Sequence, residues 1–210
     1  MSKVILKTAL KTLLIVAVVV LVAFGVASLA FPSEMAGLCE KTGNYSMATG
    51  YASLSYTYSK NVNDLNRCFT DSVSAENDND IVKFGDKLIA DEKFTEVCES
   101  ITVIKVEVNG KEKEMPIDYK QYVYGRVAAA KYRSGKKDEA FDIAVKAMDG
   151  VQSFTKNNAL SALSIQVLQS NDKDMAGKLL TEVQKLSPAD EDKEYYGILV
   201  DQLIKVSGQE

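Results

Sequence analysis

The chain has 210 residues, with 25 basic and 29 acidic side chains and no histidine or tryptophan. This length suffices for one modest hydrophobic core. Lys3, Lys7 and Lys11 are the only charges in the first 33 residues, so the rest carries 22 basic and 29 acidic groups, a net of −7. We expect no nucleic-acid partner for such an acidic body. Without histidine or a glycine-rich phosphate loop, we expect neither an enzyme nor a cofactor or metal site.

Residues 12–31 form an uncharged apolar run of twenty residues. A helix of about 20 residues spans about 30 Å, the thickness of a bilayer's hydrocarbon core, so the run is predicted to contact membrane lipid as a single-pass anchor. The basic stretch before it predicts a cytoplasmic N-terminus and an extracytoplasmic body in the cell membrane. We therefore divide the chain into a stub and anchor, residues 1–32, and a body, residues 33–208.

Two other interpretations of the apolar run stay open. Its basic start and the small-x-small sequence Ser28-Leu29-Ala30 also suit a secretory signal that is cleaved. A helix that is apolar on every side could instead be buried in a soluble core.

The body begins with two predicted helices, from Pro32 to about Thr42 and from Ser46 to Ser59, joined by a turn at Gly43-Asn44-Tyr45. Small residues recur on one face of the second helix at positions i, i+4 and i+7, namely Ala48, Ala52 and Ser55. A stripe of this kind lets two helix axes approach closely.

The same pattern of two helices returns three times along the chain. The corresponding positions are Ala48, Val82, Ala140 and Ala176. The successive steps from each to the next are 34, 58 and 36 residues. Turns are predicted at residues 75–79, at Gly135 and at residues 170–172, and a last helix covers about residues 190–206. The acidic run at residues 76–80 resembles part of a calcium loop but lacks its central glycine, so we interpret it as a helix-capping turn.

This recurrence resembles the tetratricopeptide repeat, a unit of about 34 residues whose two antiparallel helices stack on their neighbours. The resemblance implies an all-α fold in which about four helix pairs form an α-solenoid. The last helix would then act as its cap. The Leu-Gly pair of the family pattern is absent here.

The 58-residue step indicates an insertion at about residues 91–118. Ile104, Val106 and Val108 alternate with charged residues, and Asn109-Gly110 is a strong hairpin-turn signal, so we predict a small β-hairpin. The alternative is a continued helix, because hydrophobic residues in this segment also fit helical spacing.

In tetratricopeptide-like arrays the first helix of each pair lines a concave groove that holds a peptide or protein segment. The resemblance therefore implies a protein-binding site, for which the candidates are aromatic and basic residues: Tyr122, Arg126, Tyr132, Arg133, Lys83 and Lys87. Alternatively, the two tyrosines pack between repeats and the arginines are solvated. The carboxylate clamp of chaperone-binding members is not expected, because Gly125 and Ala129 stand where its polar residues would lie.

The function expected from these observations is that of a membrane-tethered scaffold that binds another protein or peptide. The alternative is a secreted or surface domain that recognises a non-protein ligand after signal cleavage. The remaining distinctive residues are predicted to be structural. The cysteines Cys39, Cys68 and Cys98 are assigned to the core as small hydrophobic residues, the alternative being a disulfide between Cys39 and Cys68. The tyrosines Tyr51, Tyr56 and Tyr58 are assigned to the core as well.

Overall fold

The computed structural model describes residues 2–108 and 111–209. This part of the chain is all-α, with eleven α-helices and four short strands. The helices are α1 (Ser2–Ala30), α2 (Pro32–Lys41), α3 (Tyr45–Ser59), α4 (Val62–Ser74), α5 (Asp78–Ile89), α6 (Phe94–Ser100), α7 (Tyr119–Arg133), α8 (Lys137–Ala147), α9 (Ala159–Ser170), α10 (Lys173–Val183) and α11 (Lys193–Ser207).

Helix α1 contains a stretch, Thr8–Ala30, that is long and apolar enough to cross a membrane, with a mean hydropathy of 3.0. Almost none of its surface is covered by the rest of the protein. Phe31 alone separates α1 from α2, and its backbone N–H donates to the carbonyl of Ala27. Pro32 opens α2 at a position where a helix needs no backbone N–H. The apolar helix therefore leads into the body without a linker.

Four consecutive helix pairs make up the body: α2 with α3, α4 with α5, α7 with α8, and α9 with α10. Short turns join the partners. Gly135, with φ +81°, and Asn171, with φ 54°, adopt the left-handed conformation that ends α7 and α9. Polar side chains accept hydrogen bonds from the first turns of the helices that follow them; these caps are Asn44, Asn61, Asn77, Asp118, Asn158 and Asp172. The capping turn predicted for residues 76–80 is thus present.

The small residues of the predicted stripes lie between helices. Ala48, Ala52, Ala140, Ala144 and Ala176 are all completely buried. They share the core with larger side chains that fill the space between successive pairs, including Leu65, Phe69, Phe84, Leu88, Val127, Leu163 and Leu179. The fourth pair is covered by α11, whose Leu199 and Leu203 are buried.

The insertion contains α6 and then a β-hairpin. Strand β1 (Val103–Val108) pairs antiparallel with β2 (Lys111–Pro116), with Val103 opposite Pro116 and Val108 opposite Lys111. The predicted hairpin is confirmed and the alternative of a continued helix is wrong. The expected turn residues, Asn109 and Gly110, lie outside the described residues.

A second, very short pairing was not predicted. Strand β3 (Ser153–Phe154) lies parallel to β4 (Ser187–Pro188) and ties the loop before α9 to the segment before α11. Phe154 is completely buried there, 5.3 Å from the ring of Tyr196 and 6.3 Å from that of Tyr195. The burial of one aromatic ring therefore fixes the position of both loops.

The cysteines and tyrosines that were assigned to the core differ in how deeply they are buried. Cys39 and Cys68 are buried free thiols, and Cys98 is half-buried. Tyr51 and Tyr56 are half-buried against the core. Tyr58 is 62% exposed, so its assignment to the core was wrong: it lies in the last turn of α3, beyond the buried residues Ala48, Ala52 and Ser55.

Candidate binding groove

A groove of about 480 Å³ lies between α7 and α9, with the β-hairpin along one edge. We call it the α7–α9 groove. Its floor includes the small residues Gly125 and Ala162. A Cβ on Gly125 would lie only 3.0 Å from the Cβ of Ala162. The two first helices are therefore in close backbone contact. The groove is lined by Ile104, Met115, Pro116, Ile117, Gln121, Tyr122, Gly125, Arg126, Ala129, Arg133, Lys156, Asn157, Asn158, Ala162, Ile165 and Gln166.

One part of this lining is apolar. The hairpin and the segment after it contribute Ile104, Met115 and Ile117, and α9 contributes Ile165. Met115 is 38% exposed and Ile165 is 42% exposed. Large apolar side chains left open on a concave surface can be covered by an apolar group of a ligand.

The charged part of the lining, as far as the structure describes its side chains, is basic. It holds Arg126, Arg133 and Lys156, with no aspartate or glutamate among the described lining residues. The guanidinium of Arg126 lies 5.2 Å from the centre of the Tyr122 ring, a cation–π contact that leaves its N–H groups available. Arg133 donates to Asp78, which lies outside the groove, and to the side chain of Gln166. In a body with net negative charge, such a lining attracts anionic groups.

Two amides link this lining to the helix ends behind it. Gln121 donates from Nε2 to the carbonyl of Ala147 at 2.7 Å and accepts from the backbone N–H of Ala159 at 3.0 Å, so both ends of its amide are used. Asn158 caps α9 through its oxygen, which accepts from the N–H of Ser161. Its amide nitrogen is buried and has no acceptor within the described chain. This unsatisfied donor lies beneath the groove surface and not on it.

Three of the six residues proposed from sequence lie together in the groove: Tyr122, Arg126 and Arg133. Tyr122 stacks on Tyr119 with ring centres 5.7 Å apart, so one of its faces packs inside the protein. Lys83 and Lys87 are exposed on α5 and are not among the lining residues.

Tyr132 lies elsewhere and is buried. Its hydroxyl is 2.5 Å from the Oγ of Ser170 and donates to Oδ2 of Asp172 at 2.9 Å. It therefore joins α7 to the turn between α9 and α10, which matches the alternative in which this tyrosine packs between repeats.

Sequence reasoning missed the hairpin side chains and the polar residues of the loop before α9. Gly125 and Ala129 carried a usable signal: two small residues on the open face of a first helix leave room above them. Nothing local in the sequence indicated that Met115 or Lys156 would reach that space, because the hairpin and the loop arrive there through the tertiary fold.

A second hollow, of about 520 Å³, lies beside α6 and provides a contrast. It is lined partly by Asp91, Glu99 and Asp118, so it shares the acidic character of the body. Across residues 2–108 and 111–209, no group of three or more acidic or cysteine side chains is placed to hold a metal ion. The α7–α9 groove is therefore the candidate site.

Comparisons of the chain with protein-family models, with curated proteins and with solved structures found no match.

Proposed function

We propose that this protein is a membrane-anchored helical-repeat scaffold, with tetratricopeptide-like helix pairs, that holds an acidic segment of another protein in the α7–α9 groove. The anchor is α1, the N-terminus is cytoplasmic and the body, residues 33–208, is extracytoplasmic. The observation that carries the proposal is the groove's lining, whose described residues include three basic side chains and no acidic one although the body as a whole is acidic.

The shape of the groove favours a peptide segment. The apolar edge can cover one or two hydrophobic side chains, while Arg126 and Lys156 offer hydrogen bonds to carboxylates or carbonyls. Arginine and tyrosine are the residues that most often contribute strongly to binding energy at interfaces. The two face each other here as Arg126 and Tyr122.

The repeat arrangement supports the same function. The groove lies between the first helices of the third and fourth pairs, the surface on which tetratricopeptide-like arrays bind their ligands. The four pairs, the buried alanine stripes and the covering helix α11 are the features that favour this assignment.

Site-specific photocrosslinking in native membranes tests the proposal. A benzophenone amino acid replaces Ile165, which is exposed in the groove, or Ile198, which is 51% exposed on α11 outside it. We expect a discrete protein adduct from position 165 and none from position 198. Arg126→Glu should abolish the adduct, whereas Lys146→Glu, a charge reversal on the exposed side of α8, should leave it intact. Equal adducts from both positions, or none from position 165, would contradict the proposal.

A further inference from the structure

Helix α3 differs from its counterparts in the other helix pairs. No charged residue occurs from residue 42 to residue 59. The corresponding second helices are charged throughout: α5 and α8 each contain five charged residues and α10 contains four. A surface helix of a soluble body normally presents charged residues to water. Among the second helices, α3 alone has no ionised side chain that must stay in bulk water.

The open side of α3 carries a stripe of large apolar and aromatic side chains. Met47, Tyr51, Leu54 and Tyr58 follow one another at steps of four, three and four residues, which places them on one face of a helix. Met47 is 46% exposed and Tyr58 is 62% exposed, while Tyr51 and Leu54 are half-buried. The stripe is about 16 Å long at the rise of an α-helix. We call it the α3 stripe.

A direct contact between Tyr51 and α1 fixes the position of this stripe along the length of α1. The hydroxyl of Tyr51 lies 3.2 Å from the Oγ of Ser28, so the two groups share a hydrogen bond. Ser28 belongs to the apolar stretch that ends at Ala30, which places it roughly 3 Å inside the end of that stretch. Tyr51 must therefore lie where the hydrocarbon region meets the headgroups whenever α1 crosses a bilayer.

We propose that the α3 stripe lies in the headgroup region of the same bilayer leaflet from which α1 emerges, so that the body rests on the membrane along α3. Tyrosine suits this boundary because its ring is apolar and its hydroxyl is polar. The lack of charge on α3 removes the cost of bringing ionised groups to a medium of low dielectric. Phe31 and Leu38, which are 58% and 54% exposed beside the same junction, add apolar surface. This inference rests on the membrane anchor of the proposed function.

The absence of tryptophan from the chain allows a direct test. Three full-length variants, Phe24→Trp in α1, Tyr58→Trp on the stripe and Ile198→Trp on α11, each contain a single tryptophan. They are reconstituted in vesicles of phosphatidylcholine and phosphatidylglycerol that contain lipids with a nitroxide either near the headgroup or deep in the acyl chain. Nitroxides quench tryptophan fluorescence only at short range.

The expected pattern differs among the three positions. The fluorescence of Tyr58→Trp should be blue-shifted and quenched most strongly by the shallow nitroxide. That of Phe24→Trp should be quenched most strongly by the deep nitroxide, and that of Ile198→Trp by neither. Met47→Trp, at the other end of the stripe, should behave like Tyr58→Trp and guards against a local effect of one substitution. Circular dichroism of each variant checks that the helices are kept.

Other outcomes overturn the inference in distinguishable ways. Quenching at position 24 without quenching at positions 47 and 58 would leave the anchor valid and show that the stripe faces water. A blue shift at 47 and 58 without quenching would mean that protein, such as a second copy of the chain, covers the stripe. Absence of quenching at position 24 would refute the anchor itself and the inference with it.

Discussion

Asp71 is an ionisable residue in an unfavourable environment. Its side chain lies on α4 beside Arg67 and Glu40, is only 5% exposed, and leaves Oδ2 without a partner within the described chain. The guanidinium of Arg67 is engaged by Glu40 at 2.5 Å and by Ser33. Burial and, after it, the charge of Glu40 raise the pKa of Asp71 to about 7, despite the opposing effect of Arg67.

This raised pKa makes stability depend on pH. Between the ordinary carboxyl pKa and about 7, the folded state keeps a proton that the unfolded chain has released. Stability from this group is therefore present at low pH and is lost as the pH rises towards 7. Asp71→Asn keeps the site neutral at every pH, so we expect its gain over wild type to be about 1–3 kcal/mol larger near pH 8 than near pH 5.

Urea unfolding of the detergent-solubilised protein, followed by circular dichroism at both pH values, measures this difference. Asp201→Asn, on the exposed side of α11, serves as the control and should show no such pH dependence. A gain for Asp71→Asn that is equal at the two pH values would contradict the assignment.

Tyr132 offers a second prediction for a single residue, because its two hydroxyl contacts lie inside the protein and away from the α7–α9 groove. Tyr132→Phe keeps the buried ring and removes both hydrogen bonds, so we expect a loss of about 1–2 kcal/mol in unfolding free energy. Crosslinking from position 165 should be unchanged. Tyr58→Phe, at an exposed site, should leave the unfolding free energy of the solubilised protein near that of wild type. Loss of the adduct in Tyr132→Phe at full stability would instead give Tyr132 a role in binding.

At the level of helices, the contact between α5 and α7 depends on one glycine. A Cβ on Gly85 would lie 2.2 Å from Cγ2 of Val127 and 3.2 Å from the ring of Phe69, and both neighbours are completely buried. Gly85→Ala should therefore push the second and third helix pairs apart and cost about 1–3 kcal/mol or more. Gly50→Ala in α3 has open space around its Cβ, so helix propensity alone should make it neutral or stabilising by up to about 1 kcal/mol. Equal thermal stability of the two variants would refute this account of the packing.

The helices could be predicted from sequence because their signals are local. The apolar stripe of each helix, the turn at Gly135 and the β-alternation before Asn109 all lie within a few residues of what they determine. The contact between Gly85 and Val127 is different, since 42 residues separate the two in the chain and only the stacking of pairs brings them together. For the same reason, only part of the candidate site could be predicted from the sequence. Tyr122, Arg126 and Arg133 share one helix and were predicted together. Met115 and Lys156 come from other segments and were not predicted.

At the scale of the whole molecule, the direct passage from α1 into α2 ties the orientation of the stack to that of α1. Only Phe31 separates the two helices, and the contact between Ser28 and Tyr51 adds a second constraint. If α1 spans a membrane, the body cannot diffuse on a flexible tether and the α7–α9 groove is held at a set height above the bilayer. A partner segment would then have to lie at the same height above the bilayer in order to bind.

The topology behind this arrangement can be tested by labelling cysteines in intact cells. Lys136→Cys lies in the exposed turn before α8, and Ser2→Cys lies in the basic stub. The background carries Cys98→Ser, because Cys98 is only half-buried, while Cys39 and Cys68 are buried and should not react. We expect a membrane-impermeant maleimide to label position 136 in intact cells and position 2 only after permeabilisation, because the lysines of the stub favour the cytoplasmic side. Labelling in the opposite order would reverse the proposed orientation, and a mature chain that begins near Phe31 would show that the apolar helix is a cleaved signal.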